Sequence, residues 1–267
     1  MSEGYVHGYT SKEGQRLHDQ ASALTDLLHF DTLYPSGHKV LEAGCGVGAQ
    51  TTVLAKHSPG ARIVAVDISE ESLIQAKRLA DIEGIENVQF ESQDVNALTF
   101  ENDSFDHVFV CFLLEHLNDP VKTLLELKRV LKEGGTMTVI EGDHGSAYFH
   151  PDSEAARKAI KCLVRTQARS GGSANIGRSL YPLMVQAGFT NPYVTPRIVY
   201  VDDSRPALVE GFTKNTFTAM VEGVRDKVVD EKFIDLETFD QGIKDLYRTA
   251  EPGGTFCYTF FKGQAVK

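Results

Sequence analysis

Short apolar runs and longer amphipathic segments recur through the first half of the chain. The apolar runs predict five strands, over residues 38–43, 62–66, 87–90, 105–111 and 136–140. Helical periodicity fills several of the gaps between them, and Asp119-Pro120 predicts the start of one of these helices. One such segment begins at Ser69, carries Glu70 and Glu71 in its first turn and ends before Gly84, which matches the charge preference of a helix dipole. Strands that alternate with helices indicate βαβ units and a parallel sheet with right-handed crossovers.

The segment before the first strand predicts a helix. Thr10 and Glu13 form a capping box, and apolar residues at helical spacing follow, so we expect a helix over about 11–29. We interpret residues 1–34 as an N-terminal helical cap. At 267 residues the chain is long enough to bury a stable core without disulfides, and we expect a single domain over 1–267.

Beyond residue 145 the short alternation of strands and helices stops. Long helical stretches take its place, and each is followed by one strand. The helical stretches cover about 153–187 and 205–249, and the strands lie near 193–201 and 255–262.

The first apolar run ends at Glu42 and leads directly into the alternate glycines Gly44, Gly46 and Gly48. Glycine has no Cβ, so it adopts positive φ and allows another molecule to lie against the main chain. A strand that turns into a helix through such a loop predicts a nucleotide-like ligand. Because Gly44, Gly46 and Ala49 also fit the dinucleotide-binding fingerprint, the glycines alone leave the ligand open.

Acidic residues near the loop discriminate between the two ligand classes. Glu42 lies two positions before the first glycine, where it would repel a pyrophosphate but attract a cationic amine. Asp67, at the end of the second strand, suits a ribose diol in either class or, alternatively, a helix cap. Asp94 follows the third strand, where a dinucleotide site requires no acid. Glu42 and Asp94 therefore favour S-adenosylmethionine over NAD.

With these features the chain resembles the class I S-adenosylmethionine-dependent methyltransferases, within the small-molecule branch that includes the menaquinone and ubiquinone C-methyltransferases. The resemblance is strong over about 38–145. It implies a Rossmann-like three-layer α/β sandwich, whose mostly parallel seven-stranded sheet ends in an antiparallel edge. It also implies helical lid insertions at about 146–188 and 203–250. The residues that carry it are the loop from Glu42 to Gly48, Asp67, Asp94 and the turn Gly134-Gly135.

The resemblance assigns cofactor contacts residue by residue. Asp67 would bind the ribose, Asp94 and the backbone of Val95 the adenine, and the backbone near Phe112 the methionine end. Tyr9 and Arg16 are interpreted as contacts of the N-terminal cap, although ordinary solvated residues are the alternative there. The full predicted cofactor set is Tyr9, Arg16, Glu42, Gly44, Cys45, Gly46, Gly48, Asp67, Ile68, Asp94, Val95 and Phe112.

Residues after the fourth and fifth strands are candidates for the acceptor side. His116 and His144 are the predicted general bases, with a surface histidine as the alternative for His116. The sequence Glu141-Gly142-Asp143-His144 lacks the spacing of a metal site, so we expect no metal. The predicted acceptor pocket contains Asp143, His144, Arg178 and Tyr181.

Composition and charge indicate which partners and which cellular location to expect. The formal net charge of −10 disfavours nucleic-acid partners, which require basic surfaces. The cysteines are scattered and form no pair motif, which is typical of a reducing cytoplasm. The N-terminus lacks the order of a signal peptide, and the longest apolar run, 108–114, is too short for membrane insertion. We therefore expect a cytoplasmic protein.

The predicted activity is methyl transfer from S-adenosylmethionine to a small organic acceptor by direct in-line displacement. Two alternatives remain open from the sequence. One is a nicotinamide-dependent oxidoreductase, since the glycine pattern is shared, and the other is a non-catalytic protein that binds S-adenosylmethionine.

Overall fold

The computed structural model describes residues 24–231 and 233–267. Its strands form a single seven-stranded sheet in the order β3-β2-β1-β4-β5-β7-β6. The strands are β1 (Lys39–Ala43), β2 (Arg62–Asp67), β3 (Val88–Ser92), β4 (Phe105–Cys111), β5 (Leu131–His150), β6 (Thr190–Val201) and β7 (Thr255–Val266).

Helices occupy most of the remaining described chain. Residues 24–29 are helical (α1) and precede β1. Two short 3-10 helices cover Leu114–His116 and Ile176–Ser179. A π-helix, Val209–Thr218, continues α7 and leads into α8 without a break. The other helices are α2 (Ala49–His57), α3 (Glu70–Ile82), α4 (Pro120–Val130), α5 (Glu154–Arg169), α6 (Leu180–Gln186), α7 (Pro206–Leu208), α8 (Ala219–Glu222), α9 (Arg225–Glu231) and α10 (Leu236–Arg248).

The first five strands are parallel, as the sequence predicted. β1 lies between β2 and β4, and β3 and β5 extend the sheet on either side. At the end of the sheet, the Thr190 and Thr195 hydroxyls of β6 donate to the carbonyls of Val266 and Lys262 on β7. Because one residue number rises as the other falls, this edge is antiparallel. Strand order reverses next to β1, and ligands of such sheets bind outside the carboxyl ends of the strands at this point.

Local sequence explains where the helices of the first half begin. The Ser69 hydroxyl accepts a hydrogen bond from the Ser72 amide and caps α3. The Asp119 carboxylate does the same for α4 through the Lys122 amide, and Pro120 occupies the first helical position. The predicted starts of both helices are therefore confirmed.

The chain divides into two compact units. The first, called the sheet unit here, comprises residues 28–141, 176–196 and 261–267. Its core is aliphatic, with fully buried side chains that include Leu41, Val108 and Val139 from neighbouring strands. Such continuous apolar strands are typical of parallel sheets covered on both faces.

The second unit, called the helical unit here, comprises residues 24–27, 142–175 and 197–260. Helices α5 and α10 pack closely. Gly242 permits this approach, since a Cβ there would lie only 2.4 Å from the Ala155 carbonyl oxygen. Its core is aromatic, and the Phe217 and Phe256 ring centroids are 4.8 Å apart. The expectation of a single domain over the whole chain stays a prediction. No helix within the described residues has both the length and the apolar character required to cross a membrane.

His29 links stability to pH within the sheet unit. Its ring is buried, with Nε2 2.7 Å from Oε1 of Gln50. Burial lowers its pKa from 6.5 to about 4, against the opposing effect of the Gln50 hydrogen bond. Below pH 6.5 this histidine is therefore protonated in the unfolded chain but stays neutral in the folded chain. The free energy of unfolding falls with pH until the folded-state pKa near 4 is reached.

We predict that this histidine removes about 3 kcal/mol from the free energy of unfolding between pH 6.5 and 4. Urea titrations across this range should show a shallower decline for His29→Gln than for the wild type. The matched control is His150→Gln at an exposed position, which should keep the wild-type slope. Identical slopes for wild type and His29→Gln would contradict the assignment.

Candidate functional site

The glycine loop between β1 and α2 is left-handed at all of its glycines. The φ angles are 74° at Gly44, 52° at Gly46 and 83° at Gly48. A Cβ on Gly44 would lie 2.8 Å from the side chain of Leu113, and one on Gly48 would lie 2.9 Å from the backbone of Ala76. A Cβ on Gly46 would meet nothing within 4 Å. Packing thus explains the outer glycines, whereas the middle one leaves its backbone open to a ligand.

Glu42 is the second-last residue of β1, just before this loop, and is only 2% exposed. Its Oε2 makes no hydrogen bond of ordinary length with the described residues, although the Thr51 hydroxyl is close enough to stabilise the charge in part. Burial raises the pKa of Glu42 to about 7, and the nearby Asp67 carboxylate adds to this. A buried, incompletely satisfied carboxyl fits the predicted binding of a cationic amine.

Asp67, at the end of β2, connects the loop to the start of α3. Its Oδ2 accepts the Gly46 N–H and its Oδ1 accepts the Ser69 N–H, both at 2.9 Å. The cap of α3 is the Ser69 side chain, and Asp67 binds the backbone amide of that cap residue. Each carboxylate oxygen can accept more than one hydrogen bond, so the ribose prediction stands beside it. Ile68 follows with 62% of its surface exposed, which leaves an apolar face for a flat ligand.

The segment after β3 divides its two predicted residues between surface and core. Asp94 is exposed, and its Oδ1 accepts hydrogen bonds from the backbone and side-chain amides of Asn96 at 2.8 and 3.1 Å. Val95 packs its side chain into the aliphatic core of the sheet unit. The predicted ligand contact of the Val95 backbone stays a prediction.

The turn after β4 has a strained backbone at Phe112, where φ is 57°. A left-handed conformation is rare for a bulky residue and is typical of functional sites. The Phe112 amide donates to the Ile140 carbonyl at 2.9 Å. His116 follows in the 3-10 helix, partly buried, with Nε2 3.6 Å from Oε1 of Glu115. A satisfied surface histidine and a general base are both compatible with this placement, so the role of His116 stays a prediction.

Glu141 is a residue of this region that the sequence interpretation did not assign to the site. It is fully buried at the point where the apolar part of β5 ends. Its Oε1 accepts the amides of Leu113 and Leu114 at 3.0 and 2.7 Å. The signal was present, because Glu141 ends an apolar run in the same way as Glu42 does.

Within the described residues, no group of three His, Cys, Asp or Glu side chains is arranged to hold a metal.

Predicted acceptor residues fall into different units. In the helical unit, His144 is buried with Nδ1 2.7 Å from the Tyr258 hydroxyl, and Asp143 Oδ1 accepts the Gly145 amide. In the sheet unit, Arg178 and Tyr181 are exposed. The predicted contacts at Tyr9 and Arg16 lie outside the described residues.

The remaining predicted cofactor residues share one location. They lie in or directly after β1, β2, β3 and β4, which are adjacent strands of the sheet. Since these strands are parallel, their carboxyl ends meet at one edge. We call this group the strand-end cluster, and it consists of Glu42, Gly44, Cys45, Gly46, Gly48, Asp67, Ile68, Asp94, Val95 and Phe112.

Curated proteins with similar sequences include several methyltransferases. A protein encoded in a transposon of Streptomyces fradiae is 33% identical over 74% of this chain and 57% of its own length. A demethylmenaquinone methyltransferase from Clavibacter sepedonicus is 39% identical over 40% of this chain and 42% of its own. A ubiquinone biosynthesis O-methyltransferase from Coxiella burnetii is 36% identical over 38% and 42%, respectively. The chain thus spans about half the length of these relatives.

Solved structures show the same fold at low sequence identity. Phosphoethanolamine N-methyltransferase 2 of Haemonchus contortus, in complex with S-adenosylhomocysteine, matches with a TM-score of 0.57 and 19% identity over 93% of this chain and 52% of its own. The YcgJ protein of Bacillus subtilis matches with a TM-score of 0.55 and 17% identity over 95% and 98%. Residues 35–188 match the model of the methyltransferase domain family, and the chain belongs to that family.

Proposed function

We propose that this chain transfers a methyl group from S-adenosylmethionine to a small organic acceptor by direct in-line displacement. The proposal rests on two neighbouring features, the buried carboxyl of Glu42 and the open space at Gly46. A buried carboxyl that lacks a full set of partners lies at a loop whose middle glycine is open. Both features fit a cationic, nucleotide-like cofactor.

The strand-end cluster supplies the groups that would hold this cofactor. Glu42 attracts the amine, Asp67 accepts from the ribose, and Ile68 with the Val95 backbone faces the adenine. When bound, S-adenosylmethionine supplies a methyl group that its sulfonium makes electrophilic. The residues of the chain then orient the reactants and exclude water, and such positioning contributes about 7–11 kcal/mol in well-aligned reactions.

On the acceptor side, the candidate catalytic groups are histidines. We propose His144 and His116 as candidates for the general base. The Tyr258 hydroxyl fixes the ring of His144, and Glu115 lies beside His116. Asp143, Arg178 and Tyr181 remain proposed acceptor contacts. The quinone-pathway names of two relatives and the net charge of −10 support a small molecule over a nucleic acid. A cytoplasmic location is proposed on the same composition.

Membership of the methyltransferase family disfavours the nicotinamide-dependent alternative. A non-catalytic binding protein is distinguished by turnover. Incubation with methyl-labelled S-adenosylmethionine and a panel of phenols, amines and quinols should transfer label to at least one of these acceptors. Cofactor binding with no transfer to any acceptor of the panel would favour the non-catalytic role.

We predict that Gly46→Val abolishes binding of S-adenosylhomocysteine, because the valine side chain fills the space open to the ligand. Calorimetry measures the affinity. The matched control is Gly84→Val, since Gly84 also has positive φ and open space around its Cβ but lies after α3. Backbone strain is then similar in both variants, and only Gly46→Val should lose binding. Wild-type affinity in a folded Gly46→Val protein would refute the loop assignment.

A second prediction concerns Asp67. Asp67→Ala should weaken binding of S-adenosylhomocysteine by about 1.5–3 kcal/mol, the range for hydrogen bonds to charged groups. The comparison variant is Ser69→Ala, which removes the hydroxyl cap of α3 and should lower only stability, by about 1 kcal/mol. Calorimetry and thermal unfolding separate the two effects. If Asp67→Ala lowers stability and leaves affinity unchanged, Asp67 serves the fold alone.

The buried carboxyl of Glu42 generates a prediction about pH. With its pKa at about 7, Glu42 carries a proton below neutrality and must lose it to pair with an amine. Affinity for S-adenosylhomocysteine should therefore fall as pH drops below about 7, by up to tenfold per pH unit. Calorimetry from pH 5.5 to 8.5 tests this, and Glu42→Gln should bind weakly with a flatter profile. A wild-type affinity that is constant across this range would contradict the role of Glu42.

A further inference from the structure

The backbone turn after β4 is held by two consecutive residues of β5. Three consecutive amides take part, those of Phe112, Leu113 and Leu114. The first donates to the Ile140 carbonyl, and the next two donate to Oε1 of Glu141. A left-handed phenylalanine persists only where its surroundings fix it, and these hydrogen bonds provide that constraint.

The side chain of Leu113 carries this constraint to the glycine loop. It packs so closely on Gly44 that a Cβ there would lie 2.8 Å from Leu113 Cδ1. The Leu113 amide, on the other side of the residue, is bound by Glu141. Glu141, Leu113 and Gly44 therefore form a continuous chain of contacts within the sheet unit, from the end of β5 to the strand-end cluster.

We propose that Glu141 is a positioning residue for the cofactor site, which acts through Leu113 on the glycine loop and through the turn on the backbone of Phe112. This inference rests on the proposed function, because the strand-end cluster is taken to bind the cofactor. Neither the family match nor the relatives assign such a role to Glu141.

The chemical state of Glu141 determines which substitutions preserve this role. The side chain is fully buried, its Oε2 makes no hydrogen bond with the described residues, and Glu115 lies close by. Burial, followed by repulsion from Glu115, holds the pKa of Glu141 well above its usual range, although the amides of the turn oppose this. Burial thus favours the protonated form of the carboxyl, and Oε1 is the oxygen that accepts both amides. A glutamine provides the same acceptor at the same reach, whereas an aspartate is one methylene shorter.

Three variants test the proposal by calorimetry with S-adenosylhomocysteine. Glu141→Gln should keep an affinity close to the wild type. Glu141→Ala and Glu141→Asp should each weaken binding about tenfold, because the two amides lose their acceptor and the turn relaxes. Amide hydrogen exchange gives a second readout, with faster exchange expected at Leu113 and Leu114 in the Ala and Asp variants only.

The matched control is Asp106→Ala. The Asp106 carboxylate also accepts a hydrogen bond from a backbone amide, that of Lys39. This bond lies at the amino ends of β1 and β4. Its removal should lower thermal stability and leave affinity unchanged. Should Glu141→Ala not fold, the comparison of Asp with Gln decides. A folded Ala or Asp variant with wild-type affinity, or a Gln variant that binds no better than Asp, would overturn the proposal. A wild-type protein that does not bind S-adenosylhomocysteine would instead reject the proposed function.

Discussion

The left-handed turn from β1 into α2 is the constraint on which the rest of the strand-end cluster depends. Its glycines are fixed by three separate parts of the sheet unit. Leu113 packs on Gly44, the Asp67 carboxylate accepts from Gly46, and Ala76 of α3 packs on Gly48. The loop therefore keeps its shape through contacts with the segments after β2 and β4 as well as its own backbone. This explains how a segment rich in glycine can be preorganised, which reduces the entropy lost when a ligand binds.

Buried carboxyls define the electrostatics around this loop. Glu42 lies next to the end of β1 and Glu141 ends the apolar part of β5, and desolvation raises the pKa of both. The same environment raises the pKa of the Cys45 and Cys111 thiols, because burial and these carboxyls disfavour a thiolate. Neither cysteine is thus suited to act as a nucleophile. The electrostatics accordingly agree with a direct displacement that needs no covalent enzyme intermediate.

Sequence periodicity and capping predicted the first four strands to within two residues at each end, and also the starts of α3 and α4, because these depend on neighbours along the chain. The limits of β5 were wrong. Apolar residues suggested 136–140, whereas the strand covers Leu131–His150. Part of the extension pairs with β7, for example where the Lys267 amide donates to the Gly135 carbonyl. That partner lies more than a hundred residues away, so local pattern contained no sign of it.

The same limit applies to the candidate site residues, because the sequence marks local features but not partners that are distant along the chain. Glu42 and Asp67 are candidates from the sequence alone because a motif and a strand end mark them locally. Glu141 shares the strand-end pattern, but its role depends on amides of another turn. The hydrogen bond from His144 to Tyr258 joins residues 114 positions apart, and no local pattern relates them. Side-chain partners that determine proton positions were therefore accessible only from the structure.

The family match covers one continuous part of the chain. Residues 35–188 contain the whole strand-end cluster and Glu141. Tyr258 and the π-helix lie beyond them, in the aromatic core of the helical unit, where Phe212 and Phe217 of the π-helix both pack on the Tyr258 ring. π-Helical segments occur often at functional sites. The proposed general base His144 therefore lies within the residues that match the family, whereas the Tyr258 hydroxyl that fixes its ring lies outside them.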